Sequence, residues 1–134
     1  MAGIGLWAQK NMLDWVLVNG ATPTRPPGIF CGLAIGAPAS TSSSEVATAS
    51  GYTRQTAIFG AAGTPAGSGS ASNATAMTFG PFSSSQAITG LFLADTVSSG
   101  AGNMLWFGNL TTARTPLPGD SLVIAAGALQ ITLA

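Results

Sequence analysis

The stretch Ala87 to Thr112, AITGLFLADTVSSGAGNMLWFGNLTT, decides the fold because it holds two apolar runs joined by small residues. The runs Ile88 to Ala94 and Met104 to Leu110 are each too short for an ordinary helix. Between them, residues 98–103 are only Ser, Gly, Ala and Asn, which favour a turn between paired strands. The stretch therefore predicts a β-hairpin. Because both runs are almost continuously apolar, we expect both faces of its strands to be covered.

Working outward, short apolar segments bounded by Gly and Pro predict further strands. These segments are residues 29–35, 52–59, 75–79, 121–125 and 129–133. Strand 52–59 is the less apolar and should lie near an edge, while the alternation in 129–133 predicts one buried face. About seven strands after one helix favour an all-β fold, an antiparallel β-sandwich with jelly-roll-like topology. Phe92 and Trp106, from the two most apolar runs, are predicted in its core.

One helix is predicted at the start of the chain, over Ile4 to Val18. Its polar residues Lys10, Asn11 and Asp14 share one narrow face, and Lys10 and Asp14 are spaced to pair. The apolar arc around the rest is wider than a surface helix needs, so the helix is either packed under the domain or docks a neighbour. We predict a single domain over residues 1–134, with the helix in 1–20 and the sandwich in 28–134.

The segments 39–50 and 60–74 are mostly Ser, Thr, Ala and Gly, and are predicted as loops. The second has no apolar residue larger than Ala, so little burial offsets the entropy of ordering it. We therefore expect segment 60–74 to be mobile in the free protein and ordered by neighbours.

Charged residues make up only 6% of the 134 residues, against about 25% in typical domains. A free monomer normally uses interspersed charge to remain soluble, so this shortage favours a protein that functions inside an assembly. The net charge is zero, which argues against electrostatic capture of nucleic acid or of anionic lipid. We also see no signal-peptide pattern and no run long enough to span a membrane.

The side chains of common active sites are scarce. The chain has no histidine, which removes the usual general base, the common catalytic triads and most zinc sites. Its single cysteine, Cys31, is expected to be a buried thiol. We predict no enzyme activity, catalytic residue, metal, cofactor or small-molecule substrate. The tryptophans Trp7, Trp15 and Trp106 could form a sugar platform, although core or interface anchors are the commoner use.

Short motifs spread over nearly the whole chain carry a resemblance. They are NMLD at Asn11–Asp14, GIFCGL at Gly28–Leu33, GYTRQ at Gly51–Gln55, ITGLF at Ile88–Phe92, NMLWFG at Asn103–Gly108 and PGDSL at Pro118–Leu122. The chain thereby resembles small structural proteins of tailed bacteriophages, which are often labelled tail-fibre proteins. All-β phage proteins of this size also resemble capsid decoration, or cement, proteins. The resemblance implies a place in the virion, synthesis in the host cytoplasm without a signal peptide, and no catalytic residues.

Two functions follow as hypotheses. The first is a capsid cement protein that binds the outer shell and clamps neighbouring capsomers, with the major capsid protein and copies of itself as partners. The alternative is a tail-fibre or tail-tip module that recognises a host surface. The contact regions are predicted in the helix and in segments 39–50 and 60–74. The partner-binding residues are predicted to be Trp7, Met12, Trp15, Val18, Arg25 and Arg54.

Overall fold

The computed structural model describes residues 2–20, 22, 24–63 and 68–133. Within these residues the chain forms one α-helix, α1 (Leu6–Leu17), a 3₁₀ turn (Thr48–Ser50) and nine strands. The strands are β1 (Gly3–Ile4), β2 (Phe30–Ala34), β3 (Gln55–Thr56), β4 (Gly69–Ser72), β5 (Met77–Phe79), β6 (Ile88–Ala94), β7 (Met104–Arg114), β8 (Leu122–Ile124) and β9 (Gln130–Leu133). The predicted all-β class with one N-terminal helix is confirmed.

The predicted hairpin is the centre of the largest sheet. Strands β6 and β7 pair antiparallel, with Phe92 opposite Phe107 and Leu93 opposite Trp106. The five-stranded sheet has the order β1-β7-β6-β2-β3, and β3 lies at its edge as predicted for that strand. Two separate antiparallel ladders, β4-β9 and β5-β8, complete the strands. A jelly roll is typically two sheets of eight strands in all, so jelly-roll topology is not confirmed by this arrangement.

The main core joins the five-stranded sheet to the two ladders, as in a β-sandwich. It contains Leu33 and Leu93 from the sheet and Met77 and Phe79 from β5, all almost fully buried. Tyr52 is also fully buried, and its ring stacks on that of Phe79 with 6.2 Å between the ring centroids. These contacts bury large apolar side chains from both layers, which is the main source of stability in such a fold.

A second, smaller cluster corrects one prediction about the core. Phe92 is buried, but it packs with Ala94, Phe107 and Met104 in this cluster instead of in the main core. The cause is strand alternation, because Phe92 and Leu93 project to opposite faces of the sheet. Trp106 does pack against the main core, where it is half-buried.

Two predicted loops are more structured than their composition suggests. Residues 69–72 form β4 and pair with β9, so the prediction of a loop is wrong there. Residues 64–67 of the same segment lie outside the described part of the chain. In segment 39–50, Val46 and Ser50 are buried. A ladder is held by backbone hydrogen bonds, which small residues supply as well as large ones, so composition alone does not reveal it.

Candidate functional site

The first turn of α1 is fixed to the sheet. β1 pairs with β7, and the Gly5 amide donates to the Leu105 carbonyl at 2.7 Å. A Cβ at Gly5 would overlap the Met104 carbonyl, so this close approach requires glycine. The Gln9 side-chain amide donates to the Ile4 carbonyl at 2.6 Å. The helix is therefore held at its N-terminal end, against the start of β7.

The second half of α1 is largely uncovered by its own domain. Ala8 is the one buried residue of the helix, at 4% exposure. From the middle of the helix onward, large apolar side chains are between 53% and 73% exposed, and these are Leu13, Trp15, Val16, Leu17 and Val18. Leu6, at the other end, is 59% exposed. Of the two alternatives for the helix, packing under the domain is therefore not what the structure shows. At about 100° per residue these side chains point to several sides of the helix end. An exposed apolar surface of this kind usually marks a contact with another protein. We call it the α1 face.

Little within α1 itself stabilises its exposed half. Neither Gly5 at the N-cap nor Val18 at the C-cap makes a side-chain capping bond, and the last turn has no basic residue. The predicted Lys10–Asp14 ion pair is present, but it is solvent-exposed and such pairs contribute little. A helix of 12 residues is marginal on its own in water. Packing against a neighbouring chain would supply the stabilisation that capping bonds and charges do not supply.

The predicted contact residues on the helix fall into two groups. Trp15 and Val18 are exposed on the α1 face, whereas Trp7 and Met12 are half-buried. Trp7 lines an open cleft of about 800 Å³ between α1, the 40–43 segment and the 100–104 turn. The structure thus places Trp7 at the base of the helix and Trp15 at its far end.

The two predicted arginines have different surroundings. Arg25 is exposed in the connector that follows the helix. Arg54 is 5% exposed, and its guanidinium donates to both carboxylate oxygens of Glu45, at 2.7 and 2.9 Å. It also donates to the carbonyls of Thr96 and Ala101, at 2.8 and 3.0 Å. These bonds give Arg54 an internal role, and its placement corrects the expectation of a surface contact.

Glu45, which sequence reasoning missed, is the centre of this internal site. Besides Arg54, its carboxylate accepts bonds from the Tyr52 hydroxyl at 2.9 Å and from the Gly100 amide at 2.8 Å. Burial acts to raise the pKa of Glu45, but the bonds from Arg54, Gly100 and Tyr52 outweigh it and lower the pKa. Burial acts to lower the pKa of Arg54, and the Glu45 carboxylate outweighs it and raises the pKa. Both groups stay charged at neutral pH.

We call the pair Glu45 and Arg54 the buried clamp. It ties the turn of the β6–β7 hairpin to the 39–50 segment and to the chain that leads into β3. The Arg54 guanidinium also lies over the Phe92 ring, 5.1 Å from its centroid. One signal in the sequence points to the buried clamp, which is that charged residues are rare in this chain. A charged side chain that becomes buried in so apolar a domain must be paired.

The single thiol is buried, and the possible metal ligands are dispersed in the described part of the chain. Cys31 is fully buried as predicted, and burial raises the pKa of its thiol to about 12. Among the described residues, no three His, Cys, Asp or Glu side chains come together as a possible metal site. In the same part of the chain, no helix is long and apolar enough to cross a membrane.

The described part of the chain is thus a β-rich domain with one helix whose second half is largely apolar and exposed. The family model described as podophage GP4 fiber I protein gp80 matches residues 3–132 of the chain. The chain belongs to this family, which supports a bacteriophage virion structural protein. No curated protein matches the chain.

Proposed function

We propose that the protein is a non-enzymatic subunit of a phage fibre that is held in the virion through the α1 face. The observation that carries the proposal is the exposure of Leu13, Val16 and Leu17, each more than half accessible to solvent. The family match to a fibre protein supports the location. Together the exposed helix and the family match favour a module that acts by contacting other proteins, with the β-sandwich as a rigid support for the helix.

The energetics favour a covered helix. Burying one Leu or Val side chain contributes about 1.5–3 kcal/mol relative to leaving it in water. The α1 face presents at least four such side chains. A partner that covers them therefore gains more binding free energy than the burial of one side chain provides. Repeated copies in a particle would add these contacts over many sites.

The capsid cement role is the second candidate, and the composition favours it. With four basic and four acidic residues in 134, the chain has little charge to keep a fully exposed surface soluble. A cement protein covers much of its surface against capsomers, and its partners would be the major capsid protein and sister copies. Recognition of a host surface by the fibre stays a prediction, with the Trp7 cleft as the place where an aromatic and polar groups meet.

Quantitative mass spectrometry and cryo-EM of purified particles would test the proposal. We expect a few tens of copies or fewer at the tail, with the α1 face covered by another chain. Hundreds of copies on the head would support the cement role instead. Absence of the protein from purified particles would refute both.

A matched pair of phage variants would test the role of the helix. Leu13→Asp places a charge on the α1 face, and Val123→Asp places one at an equally exposed site on β8, since these residues are 58% and 59% exposed. We expect Leu13→Asp to be lost from particles at least about 10-fold while Val123→Asp is retained. Equal incorporation of both variants would exclude the α1 face as the attachment surface.

A further inference from the structure

The exposed side of α1 has the spacing of a helix-pairing seam. Leu6, Lys10, Leu13 and Leu17 follow one another at intervals of four, three and four residues. At about 100° per residue they lie within roughly 60° of one another on the helix surface. The three leucines are 58% to 73% exposed, and the Lys10 side chain is 74% exposed. Apolar residues at alternating intervals of three and four are what a second helix packs against. We call these four residues the α1 seam.

The α1 seam is complementary to itself when two copies run in opposite directions. In an antiparallel pair, Leu6 can lie opposite Leu17 of the partner subunit, and Lys10 opposite Leu13 of the partner subunit. The two-fold axis then passes near the middle of the helix, and every seam position meets a seam position. Such isologous contacts are the commonest basis of homodimers.

Charge selects this orientation over the parallel one. In the antiparallel register, Lys10 also lies next to Asp14 of the partner subunit, so the ion pair within each helix can be exchanged for two pairs between helices. In a parallel pair or trimer, Lys10 would meet Lys10 of its partner inside the seam. Like charges in direct contact are destabilising, and those lysines would also be partly removed from water.

We propose that the α1 seam, which is one side of the α1 face, is covered by a second copy of this chain, packed antiparallel about a two-fold axis. The proposal rests on the proposed function in that it names the partner of the same face. At 1.5 Å per residue the helix is about 18 Å long, so the seam alone buries less than the roughly 800 Å² per partner of a standard interface. The free dimer is therefore weak and reversible, and the local concentration in a particle strengthens it.

Sedimentation equilibrium of the purified chain from about 10 µM to 1 mM tests association. We expect a monomer–dimer equilibrium in this range. Leu13→Asp should weaken it at least about 10-fold, while the matched control Val123→Asp should leave it unchanged. A protein that remains monomeric at 1 mM, or that forms trimers, overturns the proposal. Equal weakening by both variants also overturns it.

Charge reversal separates pairing between helices from folding of the helix itself. Lys10→Asp alone should weaken the dimer several-fold because it brings acidic groups together across the interface. Lys10→Asp with Asp14→Lys should restore dimerisation, since the swapped charges meet again across the axis. Circular dichroism of each variant, recorded in the same samples, measures its helix content. If the double variant is as weak as the single one at equal helix content, the proposed register is wrong.

Disulfide trapping tests the orientation. Cys31 is buried, so an introduced surface cysteine is the reactive one. Leu6→Cys and Leu17→Cys proteins are mixed and equilibrated in a glutathione redox buffer. The antiparallel pair predicts a mixed Leu6→Cys/Leu17→Cys dimer and little of either homodimer. Predominant homodimers from each variant alone would show a parallel arrangement and overturn the proposal.

The two proposals fail separately. A chain that is found in purified particles but is monomeric in solution, with α1 against a different protein in the map, refutes the second copy and leaves the virion role intact. A chain that dimerises through α1 but is absent from particles refutes the virion role and leaves the dimer.

Discussion

Replacement of Arg54 by Met tests the buried clamp most directly. Met keeps much of the side-chain length but removes the charge and every donor. The Glu45 carboxylate, whose side chain is 6% exposed, then loses two charge-assisted bonds while it stays buried. The carbonyls of Thr96 and Ala101 lose their arginine donor as well. The variant therefore leaves an uncompensated charge in the interior.

The expected loss of stability follows from these missing hydrogen bonds and from the unpaired charge. Removing one partner of a buried ion pair costs about 3–5 kcal/mol. Because Glu45 keeps bonds from Tyr52 and Gly100, we expect the lower part of this range, about 3 kcal/mol. Domains of this size are stable by only about 5–15 kcal/mol, so the effect should be large in urea unfolding at pH 7 followed by tryptophan fluorescence. A loss below about 1 kcal/mol would refute the role of the clamp.

The double variant Glu45→Gln with Arg54→Met serves as the control. It removes the charge that the single variant leaves unpaired, so we expect it to be more stable than Arg54→Met by at least about 1 kcal/mol. If the double variant loses as much free energy of unfolding as the sum of the losses in Arg54→Met and Glu45→Gln, the two side chains do not interact and the clamp is not a unit.

The clamp also sets a pH dependence. The pKa of Glu45 is lowered in the folded state, so the unfolded chain binds more protons in acid. The clamp's contribution to the free energy of unfolding is therefore present above the unfolded pKa of about 4.3 and is lost as pH falls through the lower folded value. We expect the double variant to lose less stability than the parent between about pH 5 and pH 2. Identical acid unfolding curves would contradict this.

Three substitutions and one labelling experiment test the packing. Asn73→Ala should cost about 2–3 kcal/mol in urea unfolding, because the buried amide makes three side-chain hydrogen bonds and its removal leaves their partners unpaired. Gly32→Ala should cost about 1–3 kcal/mol, since a Cβ there would overlap the Phe92 ring, and an unchanged midpoint would contradict that contact. Trp106→Ala should cost about 3 kcal/mol, and a melting temperature within a degree or two of the parent would be inconsistent with its place against the main core. Cys31 should resist iodoacetamide in the folded protein and react on unfolding, as followed by mass spectrometry, because burial raises the pKa of its thiol to about 12.

The sequence predicts best where one local rule dominates. Two apolar runs around a Gly- and Ser-rich turn specify the β6–β7 hairpin, and the observed strand β6 has the predicted bounds, Ile88–Ala94. The helix predicted over Ile4 to Val18 is also observed, with the bounds Leu6–Leu17. Its predicted start is wrong because Ile4 pairs with β7 as part of β1. In both cases the information lies within a few residues of where it acts.

The missed features depend on residues that are distant in sequence. Strand β4 is made of Gly, Ser and Ala, and it is a strand only because β9, some 60 residues later, offers a matching edge. The clamp joins Glu45 and Arg54 to the hairpin turn around residues 96–101. Asn73 begins an Asn-Ala-Thr sequence that resembles a glycosylation sequon, but it is 2% exposed. Its side chain bonds Ala125 and Leu129, which lie 52 and 56 positions later in the chain. No local pattern distinguishes such residues from polar residues in a loop.

The placement of charge connects the fold to the proposed assembly. All four acidic residues accept intramolecular hydrogen bonds, since Glu45 bonds Arg54, Asp95 bonds Asn103, Asp120 bonds the Leu117 amide and Asp14 bonds Lys10. Three of these carboxylates shape turns or the interior, and only Asp14 lies on α1, whose residues from Leu13 onward are otherwise apolar and exposed. If charge on α1 served solubility alone, it would be spread around the exposed half, where Val16, Leu17 and Val18 stand instead. One oppositely charged pair beside three exposed leucines is what an interface needs to fix direction, because it opposes the parallel arrangement while the leucines supply the attraction.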